Sequence, residues 1–289
     1  TENHFGEGGH APSILALAAA IAVRTRTIRI GTSVLLLPLH DAVRVAEDGA
    51  TIDILSNGRF ELGVGIGYRP QEFAGLGLRR EDRAGRTNEG LEIIRRLWEG
   101  ETVDYDGEHY QISGAKLSPL PVQQPRPPIW VGGFAPASAK RAARLGDGYI
   151  GTGDMTPFVP IYHAERERLG RSGPGHLAGG HFWLIVSNTP DATFREVAPY
   201  VIYQLQMYNA WFADAGQPGF PDVTNEDDLR ESGMIDVVTP QHAVDLIGAY
   251  VEATGIERYY TWTVPPGMPA AAMNDYLALF ASDVMPHFR

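Results

Sequence analysis

The 289-residue chain contains no cysteine. That excludes a disulfide framework, a thiolate nucleophile and any cysteine-ligated metal, and it fits a reducing compartment such as the cytoplasm. Basic residues are scarce: 24 Lys+Arg face 35 Asp+Glu, a formal net charge of −11. A nucleic-acid binder carries a basic stripe, so that class is set aside. No long apolar run occurs either. The longest, Ile14–Val23, is half alanine and ends at Arg24, short of the roughly 20 residues a membrane helix needs. Among the nine histidines there is no H-E-x-x-H and no close pair on a helix face, which argues against a zinc site. A G-x-S-x-G elbow, a P-loop and a G-x-G-x-x-G opening a helix are also missing. With 44% hydrophobic and 20% charged residues, the chain can nevertheless bury a core of enzyme size.

What is present alternates. Six β-rich runs stand out: Ile28–Leu36, Phe60–Ile66, Ile129–Gly132, Tyr149–Thr152, Phe182–Ser187 and Arg258–Val264. Helical patterns lie between or after them. Asp41–Ser56 opens on an N-cap Asp and closes at the Asn57-Gly58 turn; Asp82–Glu99 puts Leu91, Ile94, Leu97 and Trp98 on one face. Pro136–Leu145, Thr189–Ala213, Pro240–Thr254 and Pro269–Asp283 supply further helices, with Thr239-Pro240 as an N-cap and first-turn pair. Thr102–Ile112 reads as an inserted hairpin around Asp106-Gly107, and 118–128 as an extended proline-rich connector. Segments 171–180 and 214–223 read as mobile excursions or surface loops. Strands alternating with helices predict a parallel sheet covered by helices, in an open sheet or a barrel; the number of units and the missing dinucleotide fingerprint favour the barrel.

Four stretches together resemble the bacterial-luciferase-like (luciferase-like monooxygenase) family of flavin- and deazaflavin-dependent oxidoreductases. They are Thr1–Phe5 (TENHF), Ile30–Leu35 (IGTSVL), Gly58–Tyr68 (GRFELGVGIGY) and Pro128–Gly133 (PIWVGG) with Gly146-Asp147-Gly148 behind it. The resemblance implies an α/β fold, a TIM-type (β/α)8 barrel with the hairpin inserted, formed as a single domain over 1–289. In the family the T-E-x-H-F segment follows the second strand, so a β-α-β unit of about 30 residues is expected before Thr1, with the first two strands absent from this sequence.

Barrel enzymes keep their chemistry at the C-terminal strand ends, and the resemblance places each motif there. Ser33 and Val34 correspond to a point that in the family often carries a bulge or a non-prolyl cis peptide under the flavin ring. Gly63, Gly65 and Gly67 alternate along a strand and leave one side open to a flat ligand or another backbone. Gly65, Ile66 and Gly67 are accordingly expected at the cofactor, and Tyr68 at the ring or the substrate. Relatives with an Arg near Ile66 or an acid near Tyr68 differ here, while Glu72 and Phe73 are expected to shape the loop. Gly132, Gly133 and Phe134 before the helix Pro136–Leu145 offer free N–H groups for a cofactor phosphate, or else form a short turn; Thr152 adds a hydroxyl. Asn3 replaces the first His of the family's E-H-H-F. It can hydrogen-bond but cannot exchange a proton near neutral pH, so His4 is its substitute in proton transfer, or else a structural residue. Glu2 orients the loop. Tyr208, Trp211 and Phe212, in an aromatic-rich C-terminal part, belong to the core or else wall an apolar pocket or an oligomer face.

The function implied first is a two-component monooxygenase in which reduced FMN, supplied by a separate flavin reductase, and dioxygen oxidise a small organic substrate. The second is an oxidoreductase transferring hydride with the deazaflavin coenzyme F-420, and the third a flavin-binding protein without turnover. A homo-oligomer, such as a dimer, is expected, with no nucleic-acid or membrane partner.

Overall fold

Phe60–Gly65 is buried at all six positions, which a strand achieves only when helices or other layers cover both of its faces. It is the hub of a parallel sheet in a computed structural model that describes residues 1–6, 8, 10–173 and 175–288. The chain divides into two compact units. The first comprises Thr1–Phe5, His10–Ile150 and Phe158–His176, the second Gly6, Gly8, Gly151–Pro157 and the chain from Leu177 onward.

In the first unit the strands are β1 (Ile30–Gly31), β2 (Leu35–Leu36), β3 (Phe60–Gly65), β6 (Ile129–Gly132) and β7 (Gly148–Ile150), with β4 (Thr102–Asp106) and β5 (Gln111–Lys116) forming the antiparallel hairpin. Both β1 and β2 pair in parallel with β3, β3 pairs with β6, and β6 with β7. The helices are α1 (Ile14–Arg24), α2 (Ala42–Ser56), α3 (Pro70–Gly75), α4 (Arg83–Trp98), α5 (Pro136–Leu145) and α6 (Val159–Arg168). Asp41 caps α2 by accepting from the Arg44 N–H, and Asn57 ends it in the left-handed region, as its sequence predicts. Leu91, Ile94, Leu97 and Trp98 are all buried, with Ile93 beside them. The Trp98 indole reaches α2, donating to the Ala46 carbonyl at 2.8 Å, and fits because position 49 has no Cβ to meet its ring.

The motif residues hold the scaffold together. Arg59 ties β3 to the end of α1 through the carbonyls of Ala22, Thr25 and Ile28. Asp147 binds Arg126 through both guanidinium ends and accepts from the Ile129 N–H. The buried Asp53 accepts from Val122 N, Gln123 N and Gln123 Nε2, fastening the connector to α2.

In the second unit β8 (His176–Gly179) pairs in parallel with β11 (Arg258–Tyr259), and β9 (Trp183–Val186) with β10 (Ile235–Val238). Its helices are α7 (Pro190–Asp214), α8 (Glu226–Ser232), α9 (Pro240–Thr254) and α10 (Asn274–Leu279). Trp183, Ile185, Phe194, Val197 and Val201 centre its core. No helix among the described residues is long and apolar enough to cross a membrane.

Three expectations need correcting. Ile28–Leu36 is not one strand: pairing breaks at Thr32–Val34, where Ser33–Val34 is a cis peptide, and resumes at β2. The segment 171–180 contains β8, missed because His-Leu-Ala-Gly has only two apolar residues; β10 was missed because Asp236 interrupts its apolar run. The loop after α7 is fastened rather than loose. Phe220 N donates to Asn209 Oδ1 at 2.8 Å, and the Phe220 ring meets Phe182, Tyr208 and Phe212 edge-on. Tyr208 and Trp211 are buried in that aromatic group and Phe212 is half-buried.

Gly63 is the least replaceable position in β3. A Cβ there would lie 1.9 Å from the Thr32 carbonyl oxygen, backbone that cannot step aside. Gly63→Ala is expected to destabilise the protein by on the order of 3 kcal/mol, read as a lowered denaturant midpoint; an unchanged midpoint would contradict this packing.

Candidate functional site

The C-terminal ends of β3 and β6 converge on Val34, which stands immediately before β2. Its two methyls sit where Cβ atoms at Gly65 and Gly132 would be, 2.6 and 3.0 Å from those positions. The glycines thus seat the Val34 side chain, which the cis peptide after Ser33 delivers between the strand ends. Gly67, at φ +69°, turns the chain out of β3 against Phe73. Ser33, Val34, Ile66 and Tyr68 are half-buried.

Thr1–Phe5 lies along the same strand end. Glu2 N donates to the Val34 carbonyl at 3.3 Å, and the Leu36 N–H donates to Glu2 Oε2 at 2.6 Å. On the other side α3 clamps His4: its N–H donates to Glu72 Oε1 at 2.9 Å, and Arg69 donates to its carbonyl at 2.7 Å. Glu72 therefore shapes the loop, as expected, and burial raises its carboxyl above the ordinary range.

Glu2 is the electrostatic centre. Its Oε1 lies 2.7 Å from Nε2 of both His4 and His40. Burial alone would raise the Glu2 carboxyl, but the hydrogen bonds and charge of His40, the Leu36 N–H and His4 together hold it below the ordinary value. A carboxyl so depressed contributes stability above its unfolded pKa, and that contribution is lost as pH falls through the lower folded value. Wild-type protein is thus expected to lose more stability than Glu2→Gln on acidification below about pH 4.5. Parallel acid titrations of the two that coincide would refute this.

Asn3 is 8% exposed, and its amide makes no hydrogen bond to the described residues. At the end of β6, Gly133 takes φ +140°, and a Cβ there would strike Ser138, whose hydroxyl closes the first turn of α5 by bonding Ala135. The N–H groups of Gly133 and Phe134 likewise carry no hydrogen bond to the described residues, and the Phe134 ring is 62% exposed.

Beside α5 stand residues the sequence reading missed. Arg141 is 6% exposed, yet among the described residues no carboxylate pairs with it. Its Nε donates to Asn88 Oδ1 at 2.8 Å. Burial first, then Arg144 and Arg83, push its guanidinium below its ordinary value. Arg83 donates to the Arg80 carbonyl and is lowered by burial and by Arg80. Arg83 is half-buried; a buried cation such as Arg141 with no carboxylate among the described residues is costly unless an anion joins it. With the bare N–H groups and the Asn3 amide, these cations fit a phosphate-bearing, hydrogen-bonding ligand. No pattern in α4 or α5 singles out these arginines, because amphipathic spacing does not distinguish them from surface charge. His40, next to the α2 N-cap, was equally invisible.

Thr152 belongs to the second unit, where its hydroxyl is bonded to Tyr260, which also donates to the Gly151 carbonyl at 2.6 Å. In the same unit His181 Nδ1 lies 2.7 Å from the Tyr259 hydroxyl, and burial lowers the imidazole and raises the phenol.

A family model described as Luciferase-like monooxygenase matches residues 1–257. An F420-dependent glucose-6-phosphate dehydrogenase from Amycolatopsis mediterranei is 41% identical over 152 residues, 50% of this chain and 44% of that protein. The chain spans about half the length of the curated relatives it matches. Among solved structures, the monooxygenase RslO1 from Streptomyces bottropensis superposes with a TM-score of 0.84 at 24% identity, covering 100% of this chain and 87% of that one. The oxygenating constituent of 3,6-diketocamphane monooxygenase from Pseudomonas putida, in complex with FMN, gives 0.80 at 21%, covering 100% and 87%. The α/β fold, with its parallel strands, covering helices and inserted hairpin, is that of this TIM-barrel group.

Proposed function

We propose that this chain, which belongs to the luciferase-like monooxygenase family, is an oxidoreductase that oxidises a small alcohol-type substrate with the deazaflavin coenzyme F-420 as hydride acceptor. The observation that carries this reading is the Glu2–His4 pair. With Nε2 engaged at 2.7 Å, Nδ1 of His4 has no partner among the described residues. Removing hydride from an alcohol carbon requires a base for the hydroxyl proton, and an imidazole oriented by a carboxylate is such a base. The 41% identity to an F420-dependent dehydrogenase over half of this chain supports the same choice.

When bound, the coenzyme supplies the hydride-accepting carbon; the protein supplies position and proton handling. The buried Asn3 amide, next to His4 in the chain, would donate and accept hydrogen bonds to the bound ligand. Gly133, Phe134 and the α5 N-terminus would hold its phosphate through backbone N–H groups, and Arg141 and Arg83 would neutralise it. Val34, seated against Gly65 and Gly132, would help hold the coenzyme. Glu2 holds His4, which accepts the substrate proton.

The second reading, an FMN-dependent monooxygenase served by a flavin reductase, is favoured by the likeness to two monooxygenase structures, at the level of fold. A fluorescence titration of the full-length protein with F-420 and FMN, oxidised and reduced, separates the two. Tighter binding of oxidised F-420, followed by its anaerobic reduction on adding an alcohol, is expected. Preference for reduced FMN with substrate-dependent oxygen uptake would replace the first reading by the second.

A further inference from the structure

This inference rests on the reading of His4 as the proton acceptor and concerns what holds it in place. His40 reaches back to the same carboxylate oxygen that His4 uses, with Nε2 to Glu2 Oε1 at 2.7 Å in both cases. The other oxygen takes the Leu36 N–H. The Glu2 side chain is fully buried, whereas those of His4 and His40 are 13% and 28% exposed. An ionised carboxylate only accepts hydrogen bonds, so each ring must carry a proton on Nε2, and a neutral ring then has its lone pair on Nδ1. Leu36 and His40, both from the β2–α2 stretch, hold one carboxylate oxygen each, and His4 shares Oε1 with His40.

We propose that His40 is a positioning residue, which by clamping Glu2 fixes the ring plane and tautomer of His4 and so presents Nδ1 to the substrate proton. The other ionisable groups around His4 are Glu72 and Arg69, both bonded to its backbone, with the Thr1 amine acting on Glu2 and on His10 in the same segment. None of these contacts the His4 ring nitrogens among the described residues, so Glu2, clamped by His40, alone sets the orientation. The three donor atoms of Glu2, His4 and His40 do lie within 4.8 Å of one another, a spacing that invites a metal. At an N···O separation of 2.7 Å, however, ligand bonds of about 2.1 Å would enclose an angle of about 80°, against about 109° for tetrahedral zinc. The spacing is that of hydrogen bonds.

The test is proton and nitrogen-15 spectroscopy of the full-length, histidine-labelled protein without cofactor. Two downfield, slowly exchanging Nε2–H protons are expected, from His4 and His40, with both Nδ1 atoms bare. Glu2→Gln loses both signals. His40→Leu loses its own and also loses or broadens that of His4. His40→Gln, whose amide can donate to the same oxygen, restores the His4 signal. A His4 signal untouched by His40→Leu overturns the proposal, as does an Nδ1–H tautomer for either ring. Stoichiometric binding of added zinc that quenches both signals would also overturn it. Because the spectra need no cofactor, their failure is distinct from a failed F-420 titration.

Discussion

Arg141→Met is expected to leave the cofactor-free protein at least as stable as wild type while weakening binding of F-420 or FMN tenfold to about a hundredfold. The two effects have one cause. Arg141 is buried with no carboxylate partner among the described residues, where its charge is met by Asn88 alone, and an apolar chain of similar length removes the cost of burying it. In the complex the same charge meets a phosphate, and a charge-assisted hydrogen bond is worth about 1.5–3 kcal/mol, which is the stated fold-change. Denaturation curves of the free proteins and binding isotherms at one salt concentration measure both. A variant that unfolds more easily yet binds as wild type would make Arg141 a structural residue and move the phosphate elsewhere. Inorganic phosphate, added alone, should raise the wild-type midpoint and leave that of the variant unchanged.

His4→Gln should cost turnover and spare binding. Glutamine can still donate to Glu2, so the loop keeps its anchor, but it cannot accept a proton. General-base catalysis contributes about 10²–10⁴-fold, and a fall in kcat of that size is expected with the F-420 dissociation constant unchanged. The measurement is steady-state turnover of an alcohol found active with the wild type, beside a titration of each protein. If kcat stays within about threefold, the proton leaves by another route.

The sequence was most legible where local chemistry fixes the backbone. The Asp41 cap, the Asn57 stop and the buried face of α4 follow from short-range patterns, and the structure realises them. The motif glycines were legible as places of close approach, though not for what approaches them: Gly63 faces the Thr32 carbonyl and Gly65 the Val34 methyl. Strands β8 and β10 were illegible, since four residues with a single histidine or aspartate carry no period of their own. At the site, Glu2, Asn3 and His4 could be singled out from one pentapeptide. The Glu2 partner His40 could not, because it comes from the turn before α2, and neither could Arg83 and Arg141 on α4 and α5, because only folding brings such residues into relation. Long-range electrostatic partners leave no mark on spacing.

The connector 118–128 has five prolines and no regular secondary structure, the profile of a strap that a protease would cut first. Its backbone is not free to be cut. A protease must draw several extended residues into its cleft, and here Val122 N and Gln123 N are held by one buried carboxylate while Arg126 is fastened at both guanidinium ends. Nicking at this segment therefore reports opening of the surrounding fold, which makes it a natural gauge of how often α2 and β6 part company in the intact molecule.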